Sequence, residues 1–308
     1  MVENARYAVV VGGVNLDIGG YSAAPLVARD SNPGKVRTSL GGVGRNIAHN
    51  MALLGLNVQF LTALGDDVYA QQVEASCQAL GIGLAQALRV PGGATSVYLY
   101  IGGPEGDMEL ALSDMELYEH ITPEYLQSRQ TLLQNAQLLA VDANLPQESL
   151  EWLAEHIEVP IFADPVSTAK AAKLKGILGR LHTLKPNRIE AELLSGETIT
   201  DEVSLARAAG RLLDTGLKRV FLSLGQDGVY AAERGGMIRL PCKPSKAVNV
   251  TGAGDAFMAA LAWAYLEGMD LTQTAQVALA AAAIAAEGAE TINGAMSAAA
   301  VKARLAEA

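Results

Sequence analysis

Cysteine is scarce in this chain: 308 residues carry two, Cys77 and Cys242, far apart and in no metal-like spacing. That scarcity argues against a disulfide framework and fits a reducing cytoplasm. Charge is sparse too, at 18% of residues, with 33 acids against 23 Lys and Arg, a formal net charge of −10 and a pI near 4.9. The basic residues are scattered and nowhere form a cluster of four, so a nucleic-acid partner is not expected. No apolar run approaches the ~20 residues that span a bilayer. The most apolar, VALAAAAIAA (Val277 to Ala286), reads as a buried helix whose alanines permit close packing, and no membrane partner is expected. The start, MVENARYAVVVGG, has an acid near its beginning and too short an apolar run for a signal peptide.

Several catalytic signatures are missing as well. No lysine precedes Ser or Thr, so there is no P-loop; HExxH, CxxC and GxSxG are absent. Neither GGVGRN nor GAGDAF supplies the third glycine of a dinucleotide fingerprint. A phosphate here would have to be held by backbone amides and a metal.

What is present is a chain that is half hydrophobic, enough to bury a large core. Tyr7 to Gly12 is a continuous β-branched run ending in glycine, as a parallel strand buried on both faces requires. Similar runs recur at 58–63, 138–141, 160–163 and 220–224. Helical patterns fall at 46–54, 68–80, 147–156, 188–194 and 204–213, with long closing helices at 254–266 and 271–287. This alternation predicts an α/β fold, a doubly wound, mostly parallel sheet flanked by helices. Two stretches break the rhythm. Gly19 to Leu40 is rich in Pro, Ser and Gly, and two strand-like runs, 95–101 and 108–113, flank a turn at GGPEGD. They read as a small β lid, inserted from about 15–40 and 93–116 into a single domain over residues 1–308.

Four patches lie at strand ends or helix starts, the rim where open parallel sheets bind ligands. In Gly13-Val14-Asn15-Leu16-Asp17, Asn15 and Asp17 share one side of an extended segment and suit neighbouring hydroxyls, although a plain turn uses the same residues. Gly41-Gly42-Val43-Gly44-Arg45-Asn46 lets a ligand rest against the main chain, or is an ordinary glycine-rich helix entry. Asn187 and Glu190 have the spacing of a capping box and equally that of a water-bridged Mg²⁺ site. Gly252-Ala253-Gly254-Asp255 opens an apolar helix; unpaired first-turn amides bind anions there, and Asp255 either favours the dipole or does chemistry.

In this order, GGVGRN and VNVTGAGDAF resemble the ribokinase-like (PfkB) family of carbohydrate kinases, and the resemblance covers Tyr7 to about Thr291. It implies an ATP-dependent phosphotransferase with Mg²⁺. Asp255 then stands where the family's catalytic base does, as a carboxylate of ordinary acidity. Gly252, Ala253 and Gly254 form the anion hole. Asp17, Gly41, Gly42 and Asn46 hold the sugar hydroxyls. Asn187 and Glu190 place Mg²⁺ through water, while Ser223, Gly225, Gly228 and Thr251 line the ATP groove. VGGVNLDIGGYS, DSNPGKV, DPVSTAK and HTLKPNRIEAELLSG resemble the branch that phosphorylates the C-nucleoside pseudouridine, with ribose or another ribonucleoside as the alternative. On that reading Asn15, Ser31, Asn32 and Lys170 are candidates for contacting the base. Where many members have an acid binding K⁺, this chain has Asn249, so K⁺ would be held weakly by Asn249 and Thr251. The resemblance also implies a homodimer formed through the lid.

Overall fold

The computed structural model describes residues 6–104, 107–242 and 246–306. Its strands run in chain order β1 (Ala8–Val11), β2 (Asn15–Ser22), β3 (Gly34–Gly41), β4 (Val58–Leu61), β5 (Ala63–Leu64), β6 (Leu88–Arg89), β7 (Val97–Gly102), β8 (Met108–Asp114), β9 (Leu139–Asp142), β10 (Ile161–Asp164), β11 (Thr183–Leu184), β12 (Arg219–Ser223), β13 (Val229–Glu233) and β14 (Gly236–Leu240). Eight form the main sheet, ordered β14-β13-β12-β11-β10-β9-β1-β4. All neighbours pair in parallel except β12–β13 and β13–β14.

The β-branched runs explain the double winding. Ala8 and Val10 of β1 enter one core with Ile47, Met51 and Phe257, while Val9 and Val11 enter the other with Leu139, Leu153 and Leu205. A strand buried on both faces must be apolar at every position. The helices Val43–Leu53, Ala253–Leu266 and Leu271–Ala286 cover the first face. The alanine-rich run forecast as a helix is part of the last of these, and no helix among the described residues is long and apolar enough to cross a membrane. Both cysteines are free, Cys77 buried and Cys242 exposed.

The antiparallel edge, β13 and β14, has no counterpart in the sequence forecast. No residue of β14 is buried, and it lacks the continuous apolar run that betrayed the parallel strands.

The lid is a separate sheet ordered β3-β2-β7-β8. It is two antiparallel pairs joined by the parallel pairing of β2 with β7, so the two irregular stretches of sequence form one surface. The tip of the GGPEGD turn, Glu105 and Gly106, lies outside the described residues.

Candidate active site

The C-terminal ends of the central strands carry carboxylates. Asp142 ends β9 and Asp164 ends β10, each next to buried apolar residues, so both are held at the rim of the sheet. Asp142 is fully buried and accepts the Gly13 amide at 2.8 Å and the Asn144 amide at 2.9 Å. A Cβ on Gly12 or on Gly44 would collide with its carboxylate, so glycine at both places lets the first strand and the first helix close around it. Burial pushes its pKa up.

Beyond β11, Lys185 is buried and its Nζ lies 3.0 Å from Oδ2 of Asp164. Burial works against its charge, yet Asp164 first, then Asp255 and Glu190, hold its pKa above the ordinary value. A Cβ on Gly254 would lie 3.1 Å from this ammonium, which therefore sits against the start of the last candidate motif.

That motif begins at Gly252, whose φ is +82° and whose Cβ would collide with the Thr291 carbonyl. Only glycine is comfortable there. The Ala253 amide donates to the Val250 carbonyl at 3.2 Å, whereas among the described residues the amides of Gly252, Gly254 and Asp255 meet no backbone acceptor. They are available to an anion at the positive end of the helix.

Asp255 receives a hydrogen bond from Nδ2 of Asn46 at 2.9 Å. Burial first, then the charge of Asp164, pushes its pKa up to about 7, against the opposing pull of Asn46 and Lys185, with Asp142 adding a smaller upward push. The expectation of an ordinary carboxylate did not include these neighbours, which come from distant parts of the chain.

Asn46 is itself held. Arg45, nearly buried, donates to its Oδ1 at 3.2 Å and to the Leu40 carbonyl at 3.1 Å. Gly42 (φ +94°) caps this helix where a Cβ would run into the Gly13 carbonyl. Gly41 faces Asp17 so closely that a side chain would strike the carboxylate, which also accepts from Asn15 Nδ2 at 2.6 Å. Burial raises the pKa of Asp17, moderated by Asn15 and Arg45.

Asn187 and Glu190 form a full capping box on the helix Arg188–Ser195: each backbone amide meets the other's side-chain oxygen at 2.9 Å. Capping engages Oε2 of Glu190 and leaves its second oxygen uncommitted, whereas it uses the single side-chain oxygen of Asn187. Burial raises the Glu190 pKa, with Asn187 opposing. Asn187 also bridges to Ser223, and an open cleft of about 380 Å³ is lined by Asn187, Arg188, Ile189, Ser223, Gly225 and Asp227. Gly225 (φ +60°) and Gly228 (φ +90°) shape its turn.

Other expected residues are engaged in hydrogen bonds of their own. Asn32 closes its own exposed loop: Oδ1 accepts from the Val27 amide at 2.8 Å, and Nδ2 donates to the Val27 and Asp30 carbonyls. Ser31 follows Asp30 in the same loop and uses its amide locally. Lys170 donates to Asn144 Oδ1. Asn249 accepts from the Thr251 amide at 2.9 Å and donates to the Ala289 carbonyl.

Arg45, Asp142, Asp164 and Lys185 were not singled out from the sequence. An acid directly after an apolar strand run, as in LAVD and IFAD, was the available signal for two of them.

Among the described residues no group of three His, Cys, Asp or Glu side chains could cage a metal. A Mg²⁺ ion held mainly by water and ligand phosphates needs only one or two carboxylates, and Glu190 beside the cleft fits that demand.

The chain is similar to the pseudouridine kinase of Escherichia coli (strain K12), 41% identical over 275 residues, 88% of each chain. It is 38% identical to the uncharacterized sugar kinase YeiI of the same strain over 92% of this chain and 79% of that one. Its fold superposes on the ribokinase of Thermotoga maritima with a TM-score of 0.88 and 25% identity, covering 98% and 99% of the two chains. The pfkB carbohydrate kinase family matches residues 5–298. This chain therefore belongs to the pfkB family of carbohydrate kinases, as a phosphotransferase acting on a hydroxyl group.

Proposed function

We propose that this chain transfers the γ-phosphoryl group of ATP to the 5′-hydroxyl of pseudouridine, giving pseudouridine 5′-phosphate and ADP. The single observation that carries the reading is the Asn46–Asp255 hydrogen bond, which sets a carboxylate with a raised pKa at the mouth of an amide-rich helix start. The 41% identity to a pseudouridine kinase supports the substrate.

In this mechanism Asp17, Gly41, Gly42 and Asn46 hold the ribose hydroxyls. Asp255 takes the proton of the 5′-hydroxyl as its oxygen attacks the γ-phosphorus and the bond to ADP breaks. The amides at Gly252, Ala253 and Gly254 receive the charge of the transferring group, with Ala253 contributing once its turn bond to Val250 loosens. ATP lies along the cleft of Asn187, Ser223, Gly225 and Gly228, towards Thr251. Glu190 and Asn187 would hold Mg²⁺ through water, and the ion would neutralise phosphate charge. Closure of the lid excludes water from the transfer. Asn15, Ser31, Asn32 and Lys170 remain the proposed contacts to the base. The protein works in the cytoplasm as one kinase unit, and K⁺, if bound near Asn249 and Thr251, is bound weakly.

The outer face of the lid supports a homodimer. Val36, Leu110 and Leu112 are exposed beside Ile18, Leu99 and Ile101, an apolar surface that a second copy of the lid would cover.

The deciding experiment is ADP release with ATP and Mg²⁺, offering pseudouridine, uridine, ribose, adenosine and fructose, with and without K⁺. A preference for pseudouridine of about a hundredfold, ~2.7 kcal/mol in transition-state binding, supports the assignment. Equal or better use of ribose overturns it in favour of a ribose kinase.

A further inference from the structure

The inner face of the lid carries a group of aromatic side chains that the phosphoryl-transfer reading does not use. Register places Asp17 opposite Tyr98 and Gly19 opposite Tyr100, so Asn15, Asp17, Gly19 and Tyr21 of β2 share a face with Tyr98 and Tyr100 of β7. Gly19 has no side chain, and a Cβ there would run into the Tyr100 ring. Tyr100 therefore leans across β2, and its hydroxyl meets that of Tyr21 at 2.7 Å. The two rings meet edge to face at 5.9 Å, and Tyr98 lies 5.9 Å from Tyr100 at a 36° tilt.

The irregular register of β8 between Leu110 and Met108 brings Met108 to this same face, where the Tyr98 hydroxyl donates to its Sδ at 3.4 Å. The opposite face is aliphatic. The aromatics are thus segregated to the side that bears the diol-binding carboxylate, and all three rings are only half-buried. A free pentose has no planar π-face to stack on such rings. A nucleoside whose ribose is held at Asp17 has a planar base to lay on them.

We infer that Tyr98 and Tyr100 form a stacking platform for the planar base of a nucleoside, and that this face of the lid selects nucleosides over free sugars. The inference rests on the reading of Asp17 as the ribose-binding group. Base–aromatic stacking tolerates any flat heterocycle, so it sets the class of substrate, and polar groups choose among bases.

The test compares Tyr98→Leu and Tyr100→Leu, which keep apolar bulk but lose the flat ring, with Tyr98→Phe and Tyr100→Phe, which keep it. Each is assayed with pseudouridine and with ribose, and pseudouridine and ribose binding are measured separately by calorimetry. The leucine variants should lower the pseudouridine-to-ribose ratio of kcat/KM by about tenfold, chiefly through KM for pseudouridine, and weaken pseudouridine binding by a similar factor. The phenylalanine variants should restore both. An unchanged ratio and unchanged binding, or equal losses for both substrates, would overturn the platform and leave the rings as packing within a thin sheet. If the unaltered protein phosphorylates neither compound, the pseudouridine assignment fails; calorimetry then still decides the platform, by whether leucine weakens pseudouridine binding.

Discussion

Nδ2 of Asn46 donates to Oδ2 of Asp255 at 2.9 Å, across 209 residues of sequence. Arg45 decides which way that amide faces, because its guanidinium donates to Oδ1 and leaves the NH₂ for the carboxylate. Removing the carboxylate's charge should therefore remove the base and leave the hydrogen-bonded scaffold in place. Asp255→Asn should lower kcat by about 10²–10⁴-fold, the usual worth of a positioned general base. Near-normal turnover would dismiss Asp255 from that role.

The pKa of about 7 at Asp255 predicts an acid limb in the kcat/KM profile. The proposed base would work only as the carboxylate, so activity should climb as pH rises through about 7. Asn46 holds that value down, so Asn46→Ala should move the limb to higher pH; a limb left in place would show that the bond does not tune the base.

The same shift has a stability consequence of opposite sense. A carboxyl whose folded pKa lies above its unfolded one contributes stability at low pH that is lost as pH rises from the unfolded value towards about 7. Asp255→Asn does not ionise, so its Tm relative to the unaltered protein should be higher at pH 8 than at pH 4. Equal differences at both pH values would mean Asp255 titrates normally.

Glu190 has both a structural and a proposed ionic role. Gln can keep the capping bond to the Asn187 amide, so Glu190→Gln should fold normally while losing the charge. A higher Mg²⁺ requirement in the activity titration is expected. An unchanged titration would remove Glu190 from the metal site.

Two glycines of one turn should differ sharply. Gly225 (φ +60°) has open space around it, so Gly225→Ala should cost about 1–2 kcal/mol of left-handed strain. Gly228 (φ +90°) would drive a Cβ into the Leu240 carbonyl, and Gly228→Ala should cost about 2–4 kcal/mol. Urea unfolding of both variants reads the difference.

If a second copy covers the lid's outer face, the unaltered protein should sediment as a dimer and Leu110→Lys with Leu112→Lys as a monomer. A monomeric unaltered protein at micromolar concentration would refute the proposed dimer.

By itself the sequence determined whatever depends on near neighbours. Runs such as Tyr7–Gly12 demand burial on both faces, and capping residues such as Asn187 demand a helix start, so the main parallel strands and most helices were legible. Glycines beside polar residues marked the rim as well, because a backbone approached closely cannot carry a Cβ. The short, solvent-facing β14 was not legible, having no periodic burial to reveal it. Only the tertiary structure decided what depends on distance through space. Asp142, Asp164, Lys185 and Asp255 come from four segments, and their charges act on one another only after the sheet sets three strand ends side by side and a helix start against them. The tyrosines of β2 and β7 share a face for the same reason: a parallel pairing across some eighty residues sets their register, and no local pattern encodes that partner.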